Sequence, residues 1–208
     1  MTRTLVVFAR APQLGRVKRR LARGIGPGAA LAFYRRTLAT VLRRVACDPR
    51  WRTVLAVTPD RAAKSARIWP VKLARHGQGQ GDLGARMARS LREHRGPICI
   101  IGADIPGLAA RHVWRAFQAL GAAEFVFGPA EDGGYWLIGA RTRLPYAPFN
   151  KVRWSTSHAL ADTLKNLGNR RIAVVDILAD VDDEAAYRDW RAQNFSSPRC
   201  RTGSGKSR

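Results

Sequence analysis

At 208 residues, 46% of them hydrophobic, the chain is long enough to bury one core without disulfide or metal staples. Its three cysteines, Cys47, Cys99 and Cys200, lie far apart without CxxC or Cys/His metal spacing, which excludes a disulfide scaffold and points to a reducing, cytoplasmic compartment. The formal net charge of +22 attracts polyanions and nucleotides alike, but the arginines are scattered along the chain without the aromatic-interleaved stripe of a nucleic-acid module.

Compositional bias is therefore the expected source of the charge, and nucleic acid is not the expected partner. The apolar run at the N-terminus stops at Arg10 and Pro12, too short for a signal segment, and nothing approaches the roughly 20 apolar residues of a membrane span.

In chain order, Arg3 to Ala9 is a continuous, β-branched apolar run, as expected of a strand buried on both faces of a parallel sheet. A loop from Arg10 to Gly28 follows. Ala29 to Ala46 then places Leu31, Tyr34, Leu38, Val41, Leu42 and Val45 at helical spacing, with arginines mostly opposite. Strand-like runs recur at Thr53–Val57, Val71–Ala74, Ile98–Ile101, Phe125–Phe127, Tyr135–Ile138 and Ile172–Val175, mainly separated by helical patterns, which implies a mostly parallel sheet in an α/β sandwich. The turn between Gly128 and Gly134 is too short for a crossover helix, so at least one antiparallel pair is expected and the sheet is mixed. Beyond Trp190 the apolar content vanishes, and residues 191–208 read as a basic, disordered tail on a single domain spanning 1–190.

Five segments carry candidate chemistry. The loop after the first strand holds Arg10, Gly15, Arg16, Lys18 and Arg20 where doubly wound sheets bind ligands, and such a loop can wrap phosphates; a solvated basic turn is the plain alternative. Gln78-Gly-Gln-Gly-Asp-Leu-Gly84 is a glycine-rich run entering a helix; Gln80, beside Gly81, can read a nucleobase edge, Asp82 is expected to cap the helix, and Met87 to lie in the core. Asp104 ends a buried strand at the ligand-binding edge, where a carboxylate suits Mg²⁺ or Mn²⁺; capping the turn is the alternative. Glu131, Asp132, Gly133, Gly134 and Tyr135 crowd into one turn, although Asp-Gly-Gly is also an ordinary hairpin signal. Asp180 and Asp182 face the same way if extended and can share a metal, while Asp182 or Asp183 can equally cap the helix near Glu184. Trp154 and Trp136 can stack on a sugar or base or fill the core.

Taken in order, these pieces resemble the DUF2064 family, also described as nucleotide-diphospho-sugar transferases or glycosyltransferases of the arsenosugar-biosynthesis type. The matching residues are Ala11-Pro12-x-x-Gly15-Arg16-Val17-Lys18-x-Arg20-Leu21, Asp82-Leu-Gly-x-Arg-Met87, Ile101-Gly-x-Asp-Ile-Pro-Gly-Leu108 and Gly128-Pro-Ala-Glu-Asp-Gly-Gly-Tyr135, followed by Phe149 to Thr156, which carries Val-Arg-Trp-Ser-Thr, and Asp180-Val-Asp182. The family often has Lys where Arg10 stands and Thr where Arg19 stands. The resemblance implies a GT-A-like three-layer α/β/α sandwich, with a nucleotide at the first-strand loop and a divalent metal, Mg²⁺ or Mn²⁺, held by Asp104, Asp180 and Asp182. It further implies substrate contacts from Arg10, Pro12, Gly15, Arg16, Lys18, Arg20, Gln80, Gly81, Gly133, Gly134, Tyr135 and Trp154. The expected reaction is sugar transfer from a nucleotide-diphosphate sugar to a small-molecule acceptor, with Asp132 or Glu131 orienting the acceptor hydroxyl or acting as base. The alternative is nucleotidyl transfer of the phospholactate guanylyltransferase kind, which releases pyrophosphate.

Overall fold

The computed structural model describes residues 2–94, 96–141 and 144–195. Among these described residues seven strands form one sheet: β1 (Thr4–Arg10), β2 (Arg52–Thr58), β3 (Ala74–Gly77), β4 (Ile98–Gly102), β5 (Phe125–Pro129), β6 (Tyr135–Ala140) and β7 (Ile172–Val174). They lie in the order β3-β2-β1-β4-β6-β5-β7. Only β6 runs against its neighbours, pairing antiparallel with both β4 and β5, while β5 and β7 are parallel. The mixed, mostly parallel sheet expected from the short turn after Gly128 is what forms.

Side-chain alternation along β1 divides the core into two layers, since successive residues of a strand face opposite sides. Leu5, Val7 and Ala9 join Leu55, Val57, Cys99 and Ile101 beneath helices α2 (Pro27–Val45) and α4 (Ala110–Ala119). Val6, Ile98, Ile100, Phe125 and Phe127 form the opposite layer beneath α3 (Leu83–Glu93) and α5 (Ala159–Leu167). Leu5, Leu55, Phe125 and Phe127 are completely buried, each contributing about 1.5–3 kcal/mol by leaving water. The three-layer α/β/α sandwich thus rests on strands apolar on both faces.

Two elements depart from expectation. The loop expected from Arg10 to Gly28 contains a helix, α1 (Arg19–Ile25), and α2 starts at Pro27. Proline at the first helical position has no amide to leave unsatisfied, so the boundary is physically reasonable. The third strand is not at Val71–Ala74 but at Ala74–Gly77; Val71 and Leu73 instead pack against the core from the approach to the strand. A third, smaller cluster of Leu21, Ala30, Phe33 and Val181 ties α1 and α2 to α6 (Glu184–Phe195), with Phe33 edge-on to Tyr187 and Trp190 at 5.2 and 5.1 Å.

Helix α6 continues to Phe195, past the boundary expected at 190, and residues 196–208 of the expected tail lie outside the described residues, as does Cys200. Cys47 and Cys99 are free thiols. No described helix is long and apolar enough to cross a membrane.

Candidate active site: an acidic cluster between two cavities

The site forms where β1, β4 and β5 end and β6 begins, at the carboxyl edge of the parallel strands. Three local devices build it. Tyr34 reaches from α2 to grip the end of β1, accepting from the Arg10 amide (3.0 Å) and donating to the Arg10 carbonyl (2.8 Å). Asp82 caps α3 by accepting from the Ala85 amide at 2.8 Å, as its position before the helix implies. Beyond β7 the chain stays paired with the end of β5: Val175 donates to the Phe127 carbonyl (2.9 Å) and Leu178 to that of Pro129 (3.2 Å). This extension carries Asp180 and Asp182 back to the turn that holds Asp132.

Asp104, Asp180 and Asp182 each present a carboxylate oxygen, all within 4.8 Å of one another. Asp183, not Asp182, caps α6, accepting from the Ala186 amide at 2.9 Å. Burial pushes the Asp180 carboxyl up to about 6; Lys18 opposes that rise, and Asp182, Asp104 and Asp132 add to it. Hard oxygen donors suit Mg²⁺ or Mn²⁺, and a six-coordinate ion spans about 4.2 Å between opposite oxygens. The donor type and the spacing of the three oxygens fit such an ion.

Lys18 enters this cluster from the other side. Its ammonium is 2.8 Å from Asp104 Oδ2 and 2.8 Å from Asp182 Oδ1, and its side chain is only 3% exposed. Burial works most strongly on the Lys18 pKa, downward, but the charge and hydrogen bonding of Asp104 and Asp182 outweigh it and hold it above the ordinary lysine value. The backbone of Lys18 is left-handed, φ 44° and ψ 52°, a conformation costing a non-glycine residue about 1–2 kcal/mol. Arg20 stands 3.8 Å from the second oxygen of Asp182.

Two cavities meet at Asp104. The first, about 210 Å³, is walled by Phe8, Met87, Tyr135, Trp136 and Trp154 and opens onto Asp104, Asp132 and Asp180. None of its described lining residues is Lys or Arg. The second, about 640 Å³, is lined by Arg10, Arg16, Lys18, Arg19, Arg20 and Arg86, with Gln78, Asp104 and Asp182. One wall is aromatic and acidic, the other cationic.

The remaining residues singled out in the sequence are placed as follows. Gly134 and Tyr135 line the small cavity, and the Gly134 amide donates to Asp132 Oδ1 at 2.9 Å. Gly133 has φ 82°, and a Cβ there would run into the backbone of Ser157, so its role is to let that turn pack. Glu131 lines neither cavity; it faces a third one, about 680 Å³, beside α6. Pro12 lines a separate cleft with Trp69 and Pro70, and Gly15 makes the turn with φ 70°. Gln80 and Gly81 are outside both cavities; Arg89 holds their loop by donating to the Gln78 and Gln80 carbonyls at 2.6 and 3.0 Å.

Arg86 and Gln78 were not among the expected ligands, yet both line the cationic cavity. The buried Arg86 Nε has no hydrogen-bond partner, and Gln78 is fixed by donating to the Ala56 carbonyl at 3.0 Å. The available signal for Arg86 was its position one helical turn after Asp82, in the same motif that forms the cap.

Comparison with known proteins agrees with this architecture. The family described as "Uncharacterized protein conserved in bacteria (DUF2064)" matches residues 41–156, more than half of the sequence. The chain belongs to the DUF2064 family. No curated protein matches it. Among solved structures, this DUF2064 protein superposes with a TM-score of 0.86 on one from Desulfovibrio desulfuricans G20, provisionally named a nucleotide-diphospho-sugar transferase. The two are 24% identical over 95% of this chain and 90% of that one. The 4-diphosphocytidyl-2C-methyl-D-erythritol synthase of Anaerococcus prevotii gives 0.59 at 10% identity, covering 92% of this chain and 95% of that one. Glucosyl-3-phosphoglycerate synthase of Mycobacterium tuberculosis, solved with Mn²⁺, UDP and phosphoglyceric acid, gives 0.55 at 12% identity, covering 94% and 76%. The DUF2064 chain thus has the GT-A-like fold of nucleotidyl and sugar transferases.

Proposed function

We propose that this DUF2064 protein is a metal-dependent glycosyltransferase that moves a sugar from a nucleotide-diphosphate sugar to a small acceptor carrying no negative charge. The observation that carries this reading is the position of Asp104 on the shared wall of a cationic cavity and an aromatic, acidic one. A diphosphate belongs with the cations, where Arg16, Arg20 and Arg86 can offset its charge. The small cavity, with no described cation in its lining, offers a phosphorylated acceptor no counter-charge from the protein and suits a sugar stacked on Trp154 or Tyr135.

A bound Mg²⁺ or Mn²⁺, held by Asp104, Asp180 and Asp182, would supply neutralisation of the charge developing on the departing diphosphate. In the chemical step the acceptor oxygen bonds to the sugar carbon while the bond from that carbon to phosphate oxygen breaks, its electron pair leaving with the nucleoside diphosphate. The acceptor hydroxyl proton passes to Asp132, which lines the cavity; Glu131 faces away from it. The guanidinium groups of Arg16 and Arg86 stabilise the leaving diphosphate where its charge grows.

A second reading, nucleotidyl transfer from a triphosphate, is favoured by the size and density of charge of the larger cavity, about 640 Å³ with six Lys and Arg side chains in its lining. The test is a thermal-shift screen of UDP, GDP, ADP, CDP and dTDP sugars and the corresponding triphosphates with Mg²⁺ or Mn²⁺, followed by assay of product release. Native-state ligands raise apparent stability. A metal-dependent shift confined to one nucleotide, with nucleoside diphosphate released, is the expected result. Pyrophosphate release would establish the second reading instead, and an equal shift with every polyanion would remove both.

A further inference from the structure

Lys18 belongs to both halves of the site. Its ammonium bridges Asp104 and Asp182 at 2.8 Å each, two of the three carboxylates that fit a divalent ion, and the same side chain lines the cationic cavity with Arg16 and Arg86. An ammonium within hydrogen-bond distance of both carboxylates stands in the space that a metal bound by them would fill, and two cations that close repel each other. The left-handed backbone at the start of α1 fixes where the side chain begins, while its flexible four-carbon stem lets the ammonium swing without moving the main chain.

We infer that Lys18 is an exchangeable counter-cation that couples metal binding to phosphate binding. Without ligand it neutralises Asp104 and Asp182 and competes with the divalent ion. When donor phosphate enters the cationic cavity, Lys18 turns to it and the two carboxylates are released to the metal. Metal and donor then strengthen each other's binding by the same factor. Arg20, 3.8 Å from Asp182, does not substitute for it, because it reaches only one carboxylate of the three. The inference rests on the metal-dependent reading above.

The experiment measures Mn²⁺ affinity by electron paramagnetic resonance of free Mn²⁺, with no nucleotide present, for the wild type and Lys18→Met, with folding of each followed by circular dichroism. Lys18→Met is expected to bind Mn²⁺ more tightly than the wild type by roughly 5- to 150-fold, the usual range of such couplings, and to gain more thermal stability from Mn²⁺. Equal or weaker binding by the variant overturns the counter-cation role and leaves the metal reading standing; absence of Mn²⁺ binding in both overturns both. If Lys18→Met does not fold, the wild type decides. Inorganic phosphate must then strengthen its Mn²⁺ binding after correction for Mn²⁺ complexed in solution, and no strengthening overturns the inference.

Discussion

Asp162 accepts three hydrogen bonds from Arg153, one from its backbone amide at 3.0 Å and two from its guanidinium at 2.9 and 2.8 Å. The pair fastens the segment carrying Trp154 and Ser155, both in the wall of the small cavity, to helix α5. Asp162→Asn is expected to weaken binding in that cavity, seen as a higher KM for the acceptor with little change in kcat. Hydrogen bonding from the Arg153 side chain first, and then from its amide, holds the Asp162 carboxyl well below the usual carboxylate range. A depressed native pKa gives a contribution complete above the unfolded value of about 3.9 and lost as pH falls through the native one. The difference in urea midpoint between wild type and variant is therefore expected to stay constant from about pH 8 to 5 and to narrow only in stronger acid.

Replacing Asp104 by Asn preserves shape and removes one charge from the cluster. Turnover is expected to fall roughly 10²- to 10³-fold, the kinetic equivalent of several kcal/mol of lost charge stabilisation, with an unchanged circular dichroism spectrum. Wild-type turnover in Asp104→Asn, measured at saturating Mn²⁺, would remove the metal assignment.

The two acids of the β5–β6 turn separate by position. Asp132 faces the small cavity and Glu131 a different one. Asp132→Asn is expected to lower kcat about 10²- to 10⁴-fold, as for loss of a general base, with nucleotide affinity retained by calorimetry. Glu131→Gln is expected to keep kcat within about twofold, because a group pointing elsewhere has no proton to take. Equal losses in both would show that the turn serves only as structure.

Gly84 seats α3 against the Trp154 segment. A Cβ at this position would lie 2.6 Å from the Phe149 Cβ and 2.9 Å from the Trp154 ring. Gly84→Ala is expected to cost about 1–3 kcal/mol, the usual range for overpacking, and to displace the Trp154 ring. Unfolding by urea and the tryptophan emission maximum would report the two effects together.

Much of the sheet was legible because buried parallel strands are written as apolar β-branched runs, as at Thr4–Arg10 and Ile98–Gly102. The edge strand Ala74–Gly77 carries Arg75 and His76 and pairs only with β2, so it has little apolar signal to read. Helix α1 was hidden for a different reason. Only Leu21 of its seven residues is buried, and part of what covers the helix comes from the far end of the sequence, where the side chain of Glu184 lies over Gly24. In the site, Asp104 was legible from the strand that delivers it, whereas the contact of Lys18 with Asp182 joins the two ends of the domain and leaves no local pattern. Gln80 stands out in the sequence for the glycines on either side of it; Gln78, the first residue after β3, is the one that lines the cavity.

The reversed strand β6 also bears on how the protein is made. Its partners β4 and β5 come earlier in the chain, so a nascent chain that has emerged only as far as Pro129 presents β4 with an open edge and β5 with none of its final neighbours. Such edges recruit other chains. Lys18, Asp104 and Asp182 come from the beginning, middle and end of the domain, so the acidic cluster closes only after Asp182 has been made. A product that ends before Asp182 is thus expected to be inactive, and one that ends before β6 to be prone to aggregate as well.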